Sequence, residues 1–99
     1  MNYNSLRQFA PQLKKIAEKH GIAKVYVFGS TARGEATTKS DIDFLVEMQE
    51  GVSLFGIGGF SYEAEKLLGV LVDVVPLSTL PQVSDREFVK NIQEDAIAL

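Results

Sequence analysis

The chain contains no cysteine and only one histidine, His20. The first absence excludes a disulfide framework and a thiolate metal site, and the second excludes a multi-histidine site, so any metal must be held largely by oxygen. No apolar stretch approaches the roughly 20 residues needed to cross a bilayer, and no basic region leads into an apolar run at the N-terminus. These absences predict a soluble, cytoplasmic protein with no membrane partner. A basic stripe is missing as well. Lys and Arg total 10 against 13 Asp and Glu, for a formal charge of -3, and basic residues never stand more than two together. Gripping a polynucleotide backbone requires such a stripe, so a long nucleic acid is not the expected partner, whereas a single nucleotide is compatible. At 99 residues the chain is read as one domain, residues 1–99, with a single core.

Along the chain, Leu6, Phe9, Leu13, Ile16 and Ala17 fall mostly three and four apart, which predicts an amphipathic helix over 5–20. Pro11 either kinks it or begins its secure part, and Gly21 is placed to stop it. Residues 24–28 are mostly β-branched and aromatic and predict a strand buried on both faces. A short helical turn at 31–33 and a polar loop at 35–40 lead to a second strand over 41–47. In that strand Ile42, Phe44 and Val46 point one way and Asp41, Asp43 and Leu45 the other. Residues 61–68 predict a helix. Gly56, Gly58 and Gly59 before it are read as close packing against the sheet or as loop, in preference to a mobile segment. The run VLVDVVPL over 70–77 predicts a buried strand broken by Asp73. Ser84 and Glu87 then form a capping-box signature for an amphipathic helix running to Leu99.

The chemistry concentrates in residues 25–46, VYVFGSTARGEATTKSDIDFLV. An apolar run ends in Gly29-Ser30, and after a polar loop two carboxylates open the next strand. Gly29 allows close backbone approach, and the amides of a short helical turn together with the Ser30 hydroxyl suit a phosphate. Arg33 could reach the same phosphate through its planar fork, or could be a solvated loop arginine. An ionised Asp73 inside an apolar strand needs a partner, either a basic side chain or a cation. Asp41 and Asp43 share a strand face, and Asp73 joins them if its strand lies alongside. Three carboxylates about 5 Å apart would repel by roughly 3 kcal/mol per pair at an effective dielectric of about 20. Mg²⁺, which takes one or two carboxylates and completes its shell with water and phosphate oxygens, would relieve that repulsion. The competing interpretation is that Ser40-Asp41 is turn chemistry, Asp43 a solvated residue and Gly29-Ser30 an ordinary turn.

Gly29-Ser30, ten intervening residues, Asp41-Ile42-Asp43, and Asp73 on a later strand together resemble the nucleotidyltransferase superfamily that includes DNA polymerase beta. The chain more closely resembles the minimal nucleotidyltransferases, the MNT proteins paired with HEPN toxins. The resemblance implies an α+β fold, a mixed β-sheet flanked by helices. It implies that Gly29 and Ser30 bind the β and γ phosphates of ATP, with Arg33 as a further phosphate contact. It also implies that Asp41, Asp43 and Asp73 hold Mg²⁺, and that Asp73 helps take the proton from the attacking hydroxyl. The implied activity moves AMP from ATP to a hydroxyl, a tyrosine's, of a partner HEPN ribonuclease toxin, which makes the chain an antitoxin that can form a hetero-oligomer with its target. The alternatives are a small-molecule or nucleic-acid-end acceptor, or a non-catalytic antitoxin acting by contact. No adenine or ribose contact follows from the motif.

Overall fold

The computed structural model describes residues 1–37 and 41–99. Ser40, and with it the end of the expected 35–40 loop, lies outside the described residues. The first helical pattern is split in two. Helix α1 (Tyr3–Arg7) is capped by the Asn2 carboxamide, which accepts from the Ser5 amide at 2.8 Å. Helix α2 (Ala10–Lys19) carries Pro11 in its first turn, where the missing N–H has no helical acceptor to lose. Strand β1 (Ile22–Phe28), the one-turn helix α3 (Ser30–Arg33) and strand β2 (Ile42–Met48) follow. A 3₁₀ turn at Leu54–Gly56 leads into helix α4 (Ile57–Leu68), which crosses over to strand β3 (Val72–Pro76). A second 3₁₀ segment (Leu77–Gln82), helix α5 (Arg86–Asp95) and the two-residue strand β4 (Ile97–Ala98) complete the chain. Among the described residues, no helix is long and apolar enough to cross a membrane.

The sheet order is β3-β2-β1-β4, with β1 antiparallel to β2 and β4, and β2 parallel to β3. This is the mixed sheet expected. Both of its faces are buried, however, so the single expected core is two. Val25, Val27, Ile42, Phe44 and Val46 pack against Leu6, Leu13, Phe60 and Ala64. On this face the Phe44 and Phe60 rings meet edge to face at 5.8 Å. Phe28 and Leu45 pack on the other face with Leu80, Val89 and Ile92. The cause is the alternation in β1, where residues of both parities are apolar and each set needs its own helical cover.

Three further expectations are corrected. The last helix stops at Asp95 instead of running to Leu99, because residues 97–99 give their backbone to the free edge of β1. There Tyr26 and Val27 pair with Ala98 and Ile97, and the Leu99 amide donates to the Val25 carbonyl at 3.1 Å. The cap of α5 is Asp85, accepting from the Phe88 amide at 3.0 Å, rather than Ser84, because the helix starts one residue later than the capping-box pattern implied.

The glycines before residue 61 do pack closely, but against the end of α2 rather than against the sheet. A Cβ on Gly56 would collide with the His20 carbonyl oxygen and one on Gly59 with the His20 ring, whereas Gly58 faces open space. Gly58→Ala should therefore stabilise the protein by about 0.5–1 kcal/mol, the helix-propensity difference, while Gly56→Ala should destabilise it. Urea unfolding of the two variants checks the opposite signs.

Candidate active site

Gly29 closes β1 with a backbone at φ 74° and ψ -150°. Its missing side chain leaves room for the neighbouring strand, since a Cβ there would stand 2.5 Å from Asp43 Oδ2. The chain then makes the single turn of α3. Its first amides have no helical acceptor and are free for an external one, and Ser30 lies on the wall of the same cleft as Asp43. Gly34 ends the turn, and the Glu35 amide returns to the Ser30 carbonyl at 2.8 Å, which fixes the loop's exit.

Asp43 is the second residue of β2. On one side it is in register with Phe28 of β1, and on the other with Asp73 of β3. Residues in register on adjacent strands project to the same face, so the two carboxylates stand side by side next to the Gly29-Ser30 turn. Half-burial raises the Asp43 pKa above its ordinary value of 3.8, the negative charges of Asp73 and Asp41 raise it further, and the Arg33 guanidinium opposes them.

Asp73 has one of its expected neighbours, Asp43, but not its expected surroundings. It is exposed, because β3 is the edge strand of the sheet and only Val72 of its five residues is buried. The desolvation cost predicted for it is therefore absent, and its significance lies in its pairing with Asp43. It forms no ion pair among the described residues.

Asp41 is also exposed and stands one residue before β2, which begins at Ile42 with a hydrogen bond of 3.0 Å from the Ile42 amide to the Leu71 carbonyl. No ladder pairing holds it over Asp43. Among the described residues no three His, Cys, Asp or Glu side chains are gathered into a ready metal cage. The assembled part is the Asp43–Asp73 pair, with Asp41 near enough for its charge to be felt at Asp43. Two adjacent carboxylates fit the donor set of Mg²⁺, which needs only one or two from the protein when substrate phosphates supply others.

Gly29, Ser30, Asp43 and Asp73 border an open cleft of about 650 Å³, and Asp41 is not part of its lining. Arg33 lies on its rim. Its Nη1 donates to Asp95 Oδ2 at 2.6 Å and its Nε to Glu35 Oε1 at 3.3 Å, contacts that raise its pKa, with the Asp95 bond contributing most. Helix α5 forms a further wall and brings in Phe88, Asn91 and Asp95. Sequence reasoning missed all three as site residues, although positions 88, 91, 92 and 95 share one helical face. Phe88 reads as core by its spacing and is 43% exposed.

The nucleotidyltransferase domain model matches residues 7–99. The Methanocaldococcus jannaschii protein MJ0435, assigned as a protein adenylyltransferase, is 40% identical over 87 residues, covering 87% of this chain and 90% of its own. The Thermococcus cleftensis protein adenylyltransferase MntA is 42% identical over 67 residues, 68% of each chain. A solved chain assigned to the minimal nucleotidyltransferases superposes with a TM-score of 0.78 at 35% identity, over 100% of this chain and 97% of that one. A chain from the complex of the tri-AMPylated Shewanella oneidensis HEPN toxin with an MNT antitoxin shares the fold at a TM-score of 0.62 and 15% identity, over 93% and 69% of the two chains. With the domain model matching residues 7–99 and relatives of this identity and coverage, the chain belongs to the nucleotidyltransferase domain family and has the minimal nucleotidyltransferase fold.

Proposed function

We propose that the protein is an Mg²⁺-dependent adenylyltransferase that moves AMP from ATP to a tyrosine hydroxyl of a HEPN-type ribonuclease toxin, silencing it as a cytoplasmic antitoxin. The observation that carries this is the register pairing of Asp43 with Asp73 beside the Gly29-Ser30 turn. It places acid groups next to donors suited to phosphate, which is what transfer at a phosphorus atom requires. The protein acceptor is supported by the acidic charge balance, by the adenylyltransferase named among the relatives, and by the AMPylated toxin in the Shewanella complex.

In this mechanism the amides of the turn and the Ser30 hydroxyl hold the β and γ phosphates, and Arg33 adds a charged fork from the rim. Asp41, Asp43 and Asp73 would hold Mg²⁺, which would supply charge neutralisation at the phosphates and favour loss of the acceptor hydroxyl's proton. The acceptor oxygen forms a bond to the α-phosphorus, the bond from that phosphorus to the bridging oxygen breaks, and pyrophosphate leaves. The hydroxyl proton passes to the Asp73 carboxylate, whose exposure on the edge strand leaves it open to an incoming side chain.

Mixing the protein with ATP, Mg²⁺ and a HEPN-type toxin as its partner should raise the toxin's intact mass by one or more AMP groups, and Asp73→Asn should prevent the rise. An unchanged mass with the wild-type protein would overturn the proposal. If Asp41→Asn and Asp73→Asn abolish the mass rise but leave toxin neutralisation in cells intact, neutralisation works by contact alone.

A further inference from the structure

The phosphate and acid chemistry occupies only one side of the cleft. The α5 wall differs in kind. Phe88, 43% exposed, and Asn91, whose carboxamide makes no hydrogen bond among the described residues, stand one turn apart on the face that looks into the cleft. Phe28 and Val75, which share a face of the sheet with Asp43 and Asp73, give the cleft an apolar lining beside these acids. An exposed aromatic ring, an unpaired amide and an apolar floor, continuous with a phosphate turn, are the chemistry of a nucleobase site. Such a ring offers stacking area, and an amide offers one donor and one acceptor in a single plane. The cleft's volume of about 650 Å³ is also in the range that encloses a ligand of nucleotide size.

We propose that α5 is the base-reading element of this protein. Phe88 is the platform on which the purine ring stacks, and Asn91 pairs with the donor and acceptor on the edge of adenine, an edge that guanine replaces with two acceptors. Asp95, two turns beyond Phe88 on the same helix, holds Arg33 at 2.6 Å and so ties the base wall to the phosphate rim. Asp95 is a positioning residue, acting through Arg33. This inference rests on the nucleotide reading above.

The test is calorimetric titration of the full chain, with Mg²⁺ present, against ATP, GTP and inorganic triphosphate. Wild-type protein should bind ATP about tenfold or more tightly than triphosphate or GTP. Phe88→Ala and Phe88→Leu should each remove the advantage of ATP over triphosphate while leaving triphosphate affinity unchanged, and Phe88→Trp should keep it. Asn91→Ala should bring ATP and GTP affinities together. Both side chains are exposed, so the variants should fold, and Phe88→Leu keeps most of the apolar area if Phe88→Ala does not. If ATP and triphosphate both bind but the Phe88 variants leave ATP affinity unchanged, the base site is overturned and the phosphate site stands. If neither binds to wild-type protein, the nucleotide reading fails and this inference fails with it.

Discussion

Asp43→Asn should lower nucleotidyl transfer by about 10³-fold or more and at the same time raise the thermal stability of the ligand-free protein. The two effects share a cause. Asp43 is half-buried between Phe28 and Asp73, and burial, then Asp73, then Asp41 raise its pKa above 3.8. A carboxyl whose folded pKa is raised contributes stability that is complete below its unfolded pKa and is lost as pH rises through the folded one. At neutral pH the ionised group is therefore a liability to the fold. Asn keeps the shape and removes the charge, so the gain in melting temperature should be present at pH 7 and vanish near pH 3. Mg²⁺ should stabilise the wild-type protein and do much less for the variant. Differential scanning fluorimetry across pH, with and without Mg²⁺, measures all three. A variant no more stable than wild type at pH 7 would show that the carboxylate is not held against its preference.

Gly29→Ala should damage both fold and site. The conformation at φ 74°, ψ -150° lies in a region that is close to glycine-only and costs a side-chain-bearing residue about 1–3 kcal/mol. The added methyl would also need the space 2.5 Å from Asp43 Oδ2, displacing the carboxylate that faces the Gly29-Ser30 turn. Misplacing such a group by about 1 Å can cost on the order of 10²-fold in rate. Gly34→Ala is the matched control, because Gly34 also has a positive φ, 75°, but an added methyl there would meet nothing within 4 Å. Urea unfolding should show both variants destabilised, and transfer assays should show only Gly29→Ala crippled. Equal activity in the two would mean that the Gly29–Asp43 contact is irrelevant to function.

Much of the sheet is legible from side-chain pattern, since the apolar runs at 24–28, 41–47 and 70–77 all become strands. The boundary at Pro11 is only half legible, because a proline is harmless in a first helical turn but a kink within one longer helix fits the same pattern. Strand β4 is not legible, because it is held by backbone bonds to β1 and the spacing of Ala96 and Leu99 mimics a helix. Asp73 illustrates a different limit. Its place beside Asp43 could be anticipated, but its burial depended on whether β3 was central or at the edge, and that is decided by strand order. The glycine contacts with His20 and the bond from Arg33 to Asp95 join residues far apart in the chain, and no local pattern announces them. Phe88 was hidden by its own regularity, for it keeps the spacing of a core residue while facing the cleft.

The most direct measurement follows the label from two forms of ATP onto the proposed partner, a HEPN-type toxin. With Mg²⁺ and wild-type protein, radioactivity at the α-phosphate should appear on the partner, radioactivity at the γ-phosphate should not, and Asp43→Asn should transfer neither. Transfer of the γ label, or α-label transfer by Asp43→Asn at the wild-type rate, would contradict the account.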